Sequence, residues 1–302
     1  MVSITELEKK LEELPLLPAV IVRLLALDPN DENYFEELLE LAQEDPTFAL
    51  RLIRLSNSAT SSPVNAVTTL QNAVVRLGVK SVAGLVTSMA TMRVFIPTSD
   101  GEKALWSHSL QVAVGARLIA KAAPQLKVDP EQAFLCGLLH DIGRFVLFDK
   151  AADEMNLVEQ ASWETPTQLI DVELAQYGFN HSDLGGRVCK KWGLPDSITH
   201  VVAEHHKFNG SKSSTNDPTA NKLTHLVQMA DAFSLLTMLG ADIEESDAKT
   251  LEEELHKKCV KPLGSSAPIS AKQLHALSKN IIEESNNMSL GLGVAPSVKK
   301  LT

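Results

Sequence analysis

Phe134-Leu135-Cys136-Gly137-Leu138-Leu139-His140-Asp141-Ile142-Gly143-Arg144 is the run on which the reading of this chain turns. A His and an Asp stand side by side in a strongly apolar segment. Both are costly to place there unless something compensates them. A divalent cation would do so, because imidazole nitrogen and carboxylate oxygen together suit zinc, iron, manganese or nickel, and a carboxylate can bridge two ions. On a helix, Arg144 falls one turn past the pair on nearly the same face, where its guanidinium could hold a phosphate beside the metal. The dipeptide alone fits equally well a helix end at which Asp141 and Arg144 form an ion pair. Both readings stay open at this point.

The other histidines shift the balance. The chain has nine, and five of them, His108, His140, His181, His205 and His206, fall on segments that each read as a separate helix. Asp231 follows inside the apolar run Leu226-Val227-Gln228-Met229-Ala230-Asp231-Ala232-Phe233. Ligands delivered from several helices are how helical bundles build metal centres in their cores. His200, His225, His256 and His275 lack that context and read as ordinary surface or core histidines.

Composition narrows the class. A chain of 302 residues can bury a full core, as one large domain or two smaller ones. Aromatic residues are few, and Leu, Ala, Val and Ile dominate, as in a packed helical protein. The N-terminus opens as a charged amphipathic helix rather than a signal peptide, and no apolar run is long or pure enough to span a membrane. Cys136, Cys189 and Cys259 are odd in number, far apart and without metal-finger spacing, which fits a reducing cytoplasm. The net charge of -10 argues against wholesale nucleic-acid binding. That charge is uneven: residues 1–45 hold twelve acids and three bases, whereas residues 46–97 hold five bases (Arg51, Arg54, Arg76, Lys80, Arg93) and no acid. The basic stretch is either an anion- or partner-binding face, or a set of side chains that pair with the acidic first segment and lie along apolar faces. The second reading is preferred.

Periodicity and punctuation predict helices throughout. They are expected over Ile4–Leu14, Ala19–Leu27, Tyr34–Gln43 and from Asp45-Pro46 to about Ser56. A polar loop follows over Asn57–Asn65. Thr69 caps a helix that ends at Gly78, and Lys80–Phe95 forms another. Pro97–Gly101 is the first candidate boundary. Further helices are expected over Ala104–Ala122, Pro130 to about Phe148, Met155–Ser162, Thr165–Tyr177, His181–Trp192 and Asp196 to His205-His206. After a polar loop over Phe208–Asn221 come Leu223–Leu239, Asp247–Lys258 and Ser270–Glu284. Residues 286–302 are expected to be a disordered tail. The class is all-α, divided as 1–97, 98–240, a C-terminal extension over 241–285, and the tail.

The motif order resembles a known group. His108, then His140-Asp141, then Asp231 is similar to the framework of the HD superfamily of metal-dependent phosphohydrolases. Leu14-Pro15-Leu16-Leu17-Pro18-Ala19, Glu44-Asp45-Pro46, Leu52-Ile53-Arg54-Leu55-Ser56-Asn57-Ser58-Ala59 and Leu70-Gln71-Asn72-Ala73-Val74-Val75-Arg76-Leu77-Gly78 resemble the HDOD family, HD-related output domains of bacterial signalling proteins. The likeness covers roughly residues 10–240. It implies an HD-domain-like helical bundle with an N-terminal helical lobe, a role in bacterial signal transduction, and frequent company of receiver or cyclic-dinucleotide modules.

Many members of that family have lost their metal ligands, whereas this sequence keeps His108, His140, Asp141 and Asp231. His181 and His205-His206 further resemble the extra ligands of the HD-GYP phosphodiesterases. Departures from that pattern are Lys207-Phe208-Asn209-Gly210-Ser211 in place of Gly-Tyr-Pro, Arg144 in place of the usual Lys, and Ala104 where a third metal would require a carboxylate.

The resemblance implies one or two divalent ions (Fe, Mn, Ni or Zn). Asp141 would bridge, His108, His140 and Asp231 would hold one ion, and His181, His205 and His206 the other. Asp141 and Arg144 would be the catalytic residues, with Arg144 on the phosphoryl oxygens. The preferred expectation is a cytoplasmic, metal-bound signalling module with little or no turnover and a signalling protein as partner. The alternatives are an active phosphohydrolase or phosphodiesterase on a nucleotide or cyclic dinucleotide, and a metal-free interaction module. A nucleotide or phosphate ligand is compatible with the site, and neither membrane nor nucleic acid is expected as a partner.

Overall fold

The computed structural model describes residues 31–43, 46–57, 66–161, 163–207, 216–241, 246–258 and 267–294, with residues 20, 23, 24, 27 and 243 besides. The helix expected over Ile4–Leu14, most of that over Ala19–Leu27, the Asp45 cap, most of the Asn57–Asn65 loop, residues 208–215 and residues 295–302 lie outside this set.

Among the described residues every regular element is helical. In chain order these are α1 (Tyr34–Gln43), α2 (Pro46–Ser56), α3 (Leu70–Leu77), α4 (Val79–Val94), α5 (Asp100–Ala122), α6 (Pro130–Leu139), α7 (Ile142–Lys150), α8 (Ala152–Gln160), α9 (Pro166–Tyr177), α10 (His181–Lys191), α11 (Asp196–Glu204), α12 (Pro218–Met238), α13 (Ala248–Lys258) and α14 (Ala271–Leu292). A short 3-10 turn, Pro124–Leu126, links α5 to α6. No single helix among the described residues is long and apolar enough to cross a membrane.

The core is organised around α5, a long helix that α6, α12 and α14 all pack against. Its start is set locally. Ser99 accepts from the Glu102 amide while Glu102 reaches back to the Ser99 amide, a reciprocal cap that satisfies otherwise orphaned donors. The helix therefore begins at Asp100 rather than Ala104, and the last two residues of the expected Pro97–Gly101 break become helix. α12 likewise starts at Pro218, with Asp217 accepting from the Thr219 amide, earlier than expected because an Asp cap followed by Pro pre-forms the first turn. Thr69 caps α3 as expected, and Gly78 ends it at φ 85°, a value suited to glycine. α8 spans Ala152–Gln160, about one turn N-terminal to its expected position.

Two expectations are corrected. The helix predicted from Pro130 to Phe148 is two helices, with His140 and Asp141 in the break between α6 and α7. Asp141 has φ −97° and ψ 19°, outside helical geometry, and the break turns both side chains toward a common interior. The disordered tail predicted from Asn286 is also wrong for its first part. α14 continues to Leu292, with Ile281, Met288 and Leu292 buried and Val294 buried just beyond. With the buried Leu274, Ser278 and Ser285, these positions recur every three or four residues, a buried stripe that the polar Asn286-Asn287 pair obscures. The stripe packs on α5 and α2, so the C-terminal segment belongs to the same continuous core as the rest.

In the acid-free segment, Arg93 lies over the Phe48 ring at 4.9 Å, and Arg76 Nη1 is 3.5 Å from the Ser56 carbonyl. Arg93 fits the part of the preferred reading that lays these side chains along apolar surface, whereas their pairing with the acidic first segment falls largely on residues outside the described set.

Candidate metal centre

The glycines flanking the His-Asp pair explain why α6 and α7 sit where they do. A Cβ on Gly137 would stand 2.8 Å from Ala113 Cα and 2.9 Å from the Val112 carbonyl of α5. One on Gly143 would collide with the His181 carbonyl and stand 2.9 Å from the Gly185 amide of α10. The missing side chains let two helices approach, one bearing His108 and the other His181. A third close crossing, Gly115 against Ala230, sets α12 beside α5 and brings Asp231 to His108. The run from Phe134 to Arg144 thus carries the pair and also the clearance for the helices that surround it.

All seven predicted ligand residues meet. His108 Nε2 lies 3.3 Å from His140 Nε2, 3.2 Å from Asp231 Oδ1 and 3.7 Å from Asp141 Oδ2. On the other side of Asp141, its Oδ1 is 3.1 Å from His181 Nε2 and 3.6 Å from His205 Nε2. His181 Nε2 is in turn 3.4 Å from His205 Nε2 and 3.0 Å from His206 Nε2. Two clusters result, His108-His140-Asp141 and Asp141-His181-His205-His206, each with donor atoms within 4.8 Å of one another. They share Asp141, and Asp231 stands at the edge of the first, 4.0 Å from His140 Nε2. Six of the seven side chains are buried, and His206 is half-buried.

Hydrogen bonds behind the rings fix which nitrogen faces inward. His140 Nδ1 donates to the Gly137 carbonyl at 2.7 Å, and His205 Nδ1 to the Val202 carbonyl at 2.8 Å. His181 Nδ1 meets the buried Glu173 carboxylate at 2.7 Å, which also accepts the His181 amide at 2.9 Å. His108 Nδ1 meets Ser234 Oγ at 2.9 Å, and Ser234 donates onward to Gln111 Oε1 at 2.7 Å. With Nδ1 protonated by these assignments, the Nε2 lone pairs point at one another and at two carboxylates. A bare set of lone pairs 3.0–3.4 Å apart is repulsive, whereas that spacing matches about the edge of a coordination polyhedron with bonds near 2.1 Å. The donor set and its second layer therefore fit a divalent cation, with Asp141 placed to bridge two.

The charge state agrees with that chemistry. Burial pushes His140 down to about 4 despite the nearby Asp141 and Asp231 carboxylates, and burial with its histidine neighbours drives His206 well below its usual range. Burial alone would lower His181 too, but Glu173 and Asp141 reverse this and raise it to about 10. Burial opposes ionisation of Asp141, yet the adjacent His140 and His181 hold it well below the usual carboxylate range. Without a cation, His181 is thus a strongly basic imidazole, with the weakly basic His140 and His206 near it and the ionised Asp141 beside it.

Arg144 is the predicted residue whose setting differs most from expectation. Its Nη1 is 3.3 Å from Asp141 Oδ2 and its Nη2 is 2.5 Å from Glu159 Oε1 on α8. The guanidinium also lies 5.8 Å from the Trp163 ring. The ion-pair reading of the Asp141/Arg144 pair is thus present alongside the metal-type cluster.

Glu173, Glu159 and Ser234 are the functional neighbours that the sequence reading missed. Glu173 left a signal: Leu169, Glu173 and Tyr177 lie four residues apart on the buried face of α9, so an acid occupies an apolar-face position.

With this geometry established, comparison with known proteins adds the following. A model of the HDOD domain matches residues 14–208. An uncharacterized protein of Treponema pallidum is 26% identical over 202 residues, 66% of this chain and 39% of that protein. Ribonuclease Y of Desulfotalea psychrophila is 33% identical over 137 residues, 45% of this chain and 19% of that enzyme. The chain thus spans well under half the length of these relatives. Among solved structures, a Shewanella amazonensis protein provisionally described as a phosphohydrolase superposes with a TM-score of 0.70 at 23% identity, covering 95% of this chain and 97% of that one. A Marinobacter aquaeolei protein provisionally described as a signal transduction protein gives 0.71 at 19% identity, over 95% and 61%. At these identities the two structures establish the shared fold.

Proposed function

The chain belongs to the HDOD domain family, and from that premise we propose that it is a signalling module built around a one- or two-cation centre for phosphate esters, with slow turnover. One observation carries the cation reading: five imidazole nitrogens and the Asp141 and Asp231 carboxylates converge, with the outer nitrogens of His140, His181, His205 and His108 already engaged. His108, His140 and Asp231 would hold one ion, His181, His205 and His206 the other, and Asp141 both. Divalent cations bound there would supply Lewis-acid activation of a phosphoryl group and of an attacking water.

The chain's own residues do the rest. Glu173 and the backbone carbonyls hold the rings in the ligating orientation. Burial keeps bulk water from screening the charges. Arg144 lies beside Asp141, where a phosphoryl oxygen would gain a charge-assisted hydrogen bond. Slow turnover is favoured because the Arg144 guanidinium is already bound to Asp141 and Glu159.

A second reading, cleavage of an RNA phosphodiester, draws on the similarity to ribonuclease Y and is disfavoured by the net charge of -10, which repels a polyanion. Hydrolysis assays with nucleotides, cyclic dinucleotides, phosphomonoesters and RNA, each with added manganese or iron, decide between the readings. A phosphoester activity lost in Asp141→Ala is the expected result. Activity that survives that change contradicts the assigned centre.

A further inference from the structure

We propose that Glu159 is an internal occupant of the anion site of Arg144, a carboxylate that an incoming phosphate must displace. The inference rests on the reading of Arg144 as a phosphate-binding residue and goes beyond it by naming what holds the site closed.

Arg144 is 6% exposed, and its charge is divided among three contacts. Nη1 faces Asp141 Oδ2 at 3.3 Å, Nη2 faces Glu159 Oε1 at 2.5 Å, and the planar group lies against Trp163 at 5.8 Å. Nε is buried and lacks a hydrogen-bond partner. Glu159 thus uses one oxygen on one nitrogen, and the fork formed by Nε and Nη2 is only half used. A guanidinium fork binds a tetrahedral oxyanion through two parallel N–H···O bonds, so a phosphate on that edge would make one bond more than Glu159 does. The contact with Asp141 is on the other amino group and need not break. Phosphate and the Glu159 carboxylate therefore compete for the same edge, while the side of Arg144 that faces the metal-type cluster stays fixed.

The two contacts also differ in anchorage. Asp141 is 4% exposed in its side chain and lies in the break between two buried helices, whereas the Glu159 side chain is 22% exposed near the end of α8. α8 stops at Gln160, one residue past Glu159. A partly solvated acid at a helix end can swing into water at modest cost, which a buried one cannot.

The test is a titration of inorganic phosphate followed by calorimetry, run on wild-type protein, Glu159→Gln, Arg144→Gln and the double variant, each with and without added manganese. Glu159→Gln is close to isosteric and removes only the competing charge. It is expected to tighten phosphate binding by about tenfold, equivalent to roughly 1.4 kcal/mol, and this gain is expected to vanish when Arg144 is already Gln. Thermal unfolding accompanies each titration and shows that the variant is folded. Unchanged or weaker phosphate affinity in Glu159→Gln overturns the proposal. So does an equal gain in the Arg144→Gln background, which would mark a general loss of negative charge. Failure of the metal reading looks different: no manganese uptake, with the Glu159→Gln gain intact in metal-free protein, supports the competition while removing the cation centre.

Discussion

Arg117 and Arg144 are built alike and serve differently. Among the described residues they are the two buried arginines, 2% and 6% exposed. Each lies against an aromatic ring, Phe134 at 4.9 Å for Arg117 and Trp163 at 5.8 Å for Arg144. Each is bracketed by two acids. Arg117 meets Glu131 at 3.6 Å and Glu284 in a closer contact, and Arg144 meets Asp141 and Glu159. The acids of Arg117 sit at the start of α6 and on α14, so it ties the C-terminal helix to the core. Nine residues separate it from His108 on α5, which puts it on about the opposite face and roughly 13 Å along the axis. One of the acids of Arg144 is the carboxylate shared by the two histidine clusters. Burial and ion pairing alone therefore do not single out a functional arginine; a shared carboxylate does.

The comparison can be broken most sharply by removing the structural member. Arg117→Ala leaves Glu131 and Glu284 uncompensated and is expected to cost about 3 kcal/mol in urea unfolding, with cation uptake per folded chain unchanged. Loss of uptake from well-folded Arg117→Ala protein would dissolve the distinction. Next comes Gly143→Ala, beside Arg144. Its Cβ would strike the His181 carbonyl, and the forced separation of α7 from α10 is expected to cost about 2–3 kcal/mol and to weaken cation binding as well. A destabilisation without any effect on cation affinity would show that this crossing does not set the ligand geometry. Glu173→Gln sharpens the Arg144 side of the comparison further. It removes the carboxylate that holds His181, and one of two cations is expected to bind about ten- to a hundredfold more weakly, read by competition with a metal indicator. Equal weakening at both sites would contradict the division into two halves. The smallest effect belongs to neither arginine: Ser99→Ala deletes the α5 cap and is expected to cost about 1 kcal/mol, with metal affinity untouched.

Much of this was legible because it is local. Thr69, Gly78 and the Thr165-Pro166 start of α9 act through side-chain and backbone chemistry within a few residues, and the all-α class follows from them and from the apolar spacing. The ligand residues were legible because His and Asp are conspicuous in apolar helices. What stayed hidden depends on packing between distant segments. Glu159 looks like a surface acid until α8 is set beside the cluster, Glu173 shows only as an acid on the apolar face of α9 with no partner named, and Ser234 matters only because α12 crosses α5. The break at His140-Asp141 interrupts no apolar pattern, so periodicity ran straight through it. The stripe of Ile281, Met288 and Leu292 was masked by two asparagines that lie on the opposite side of the apolar reading.

The central claim, a shared-carboxylate centre for one or two cations, is tested most directly by the metal content of protein purified without a metal-affinity tag, before and after adding manganese or iron. The account predicts uptake of one to two cations per chain, falling to near zero in Asp141→Ala because both halves use that carboxylate. Less than about a tenth of a cation per folded chain with no uptake on addition, where tight ligation predicts near-saturation, would contradict it.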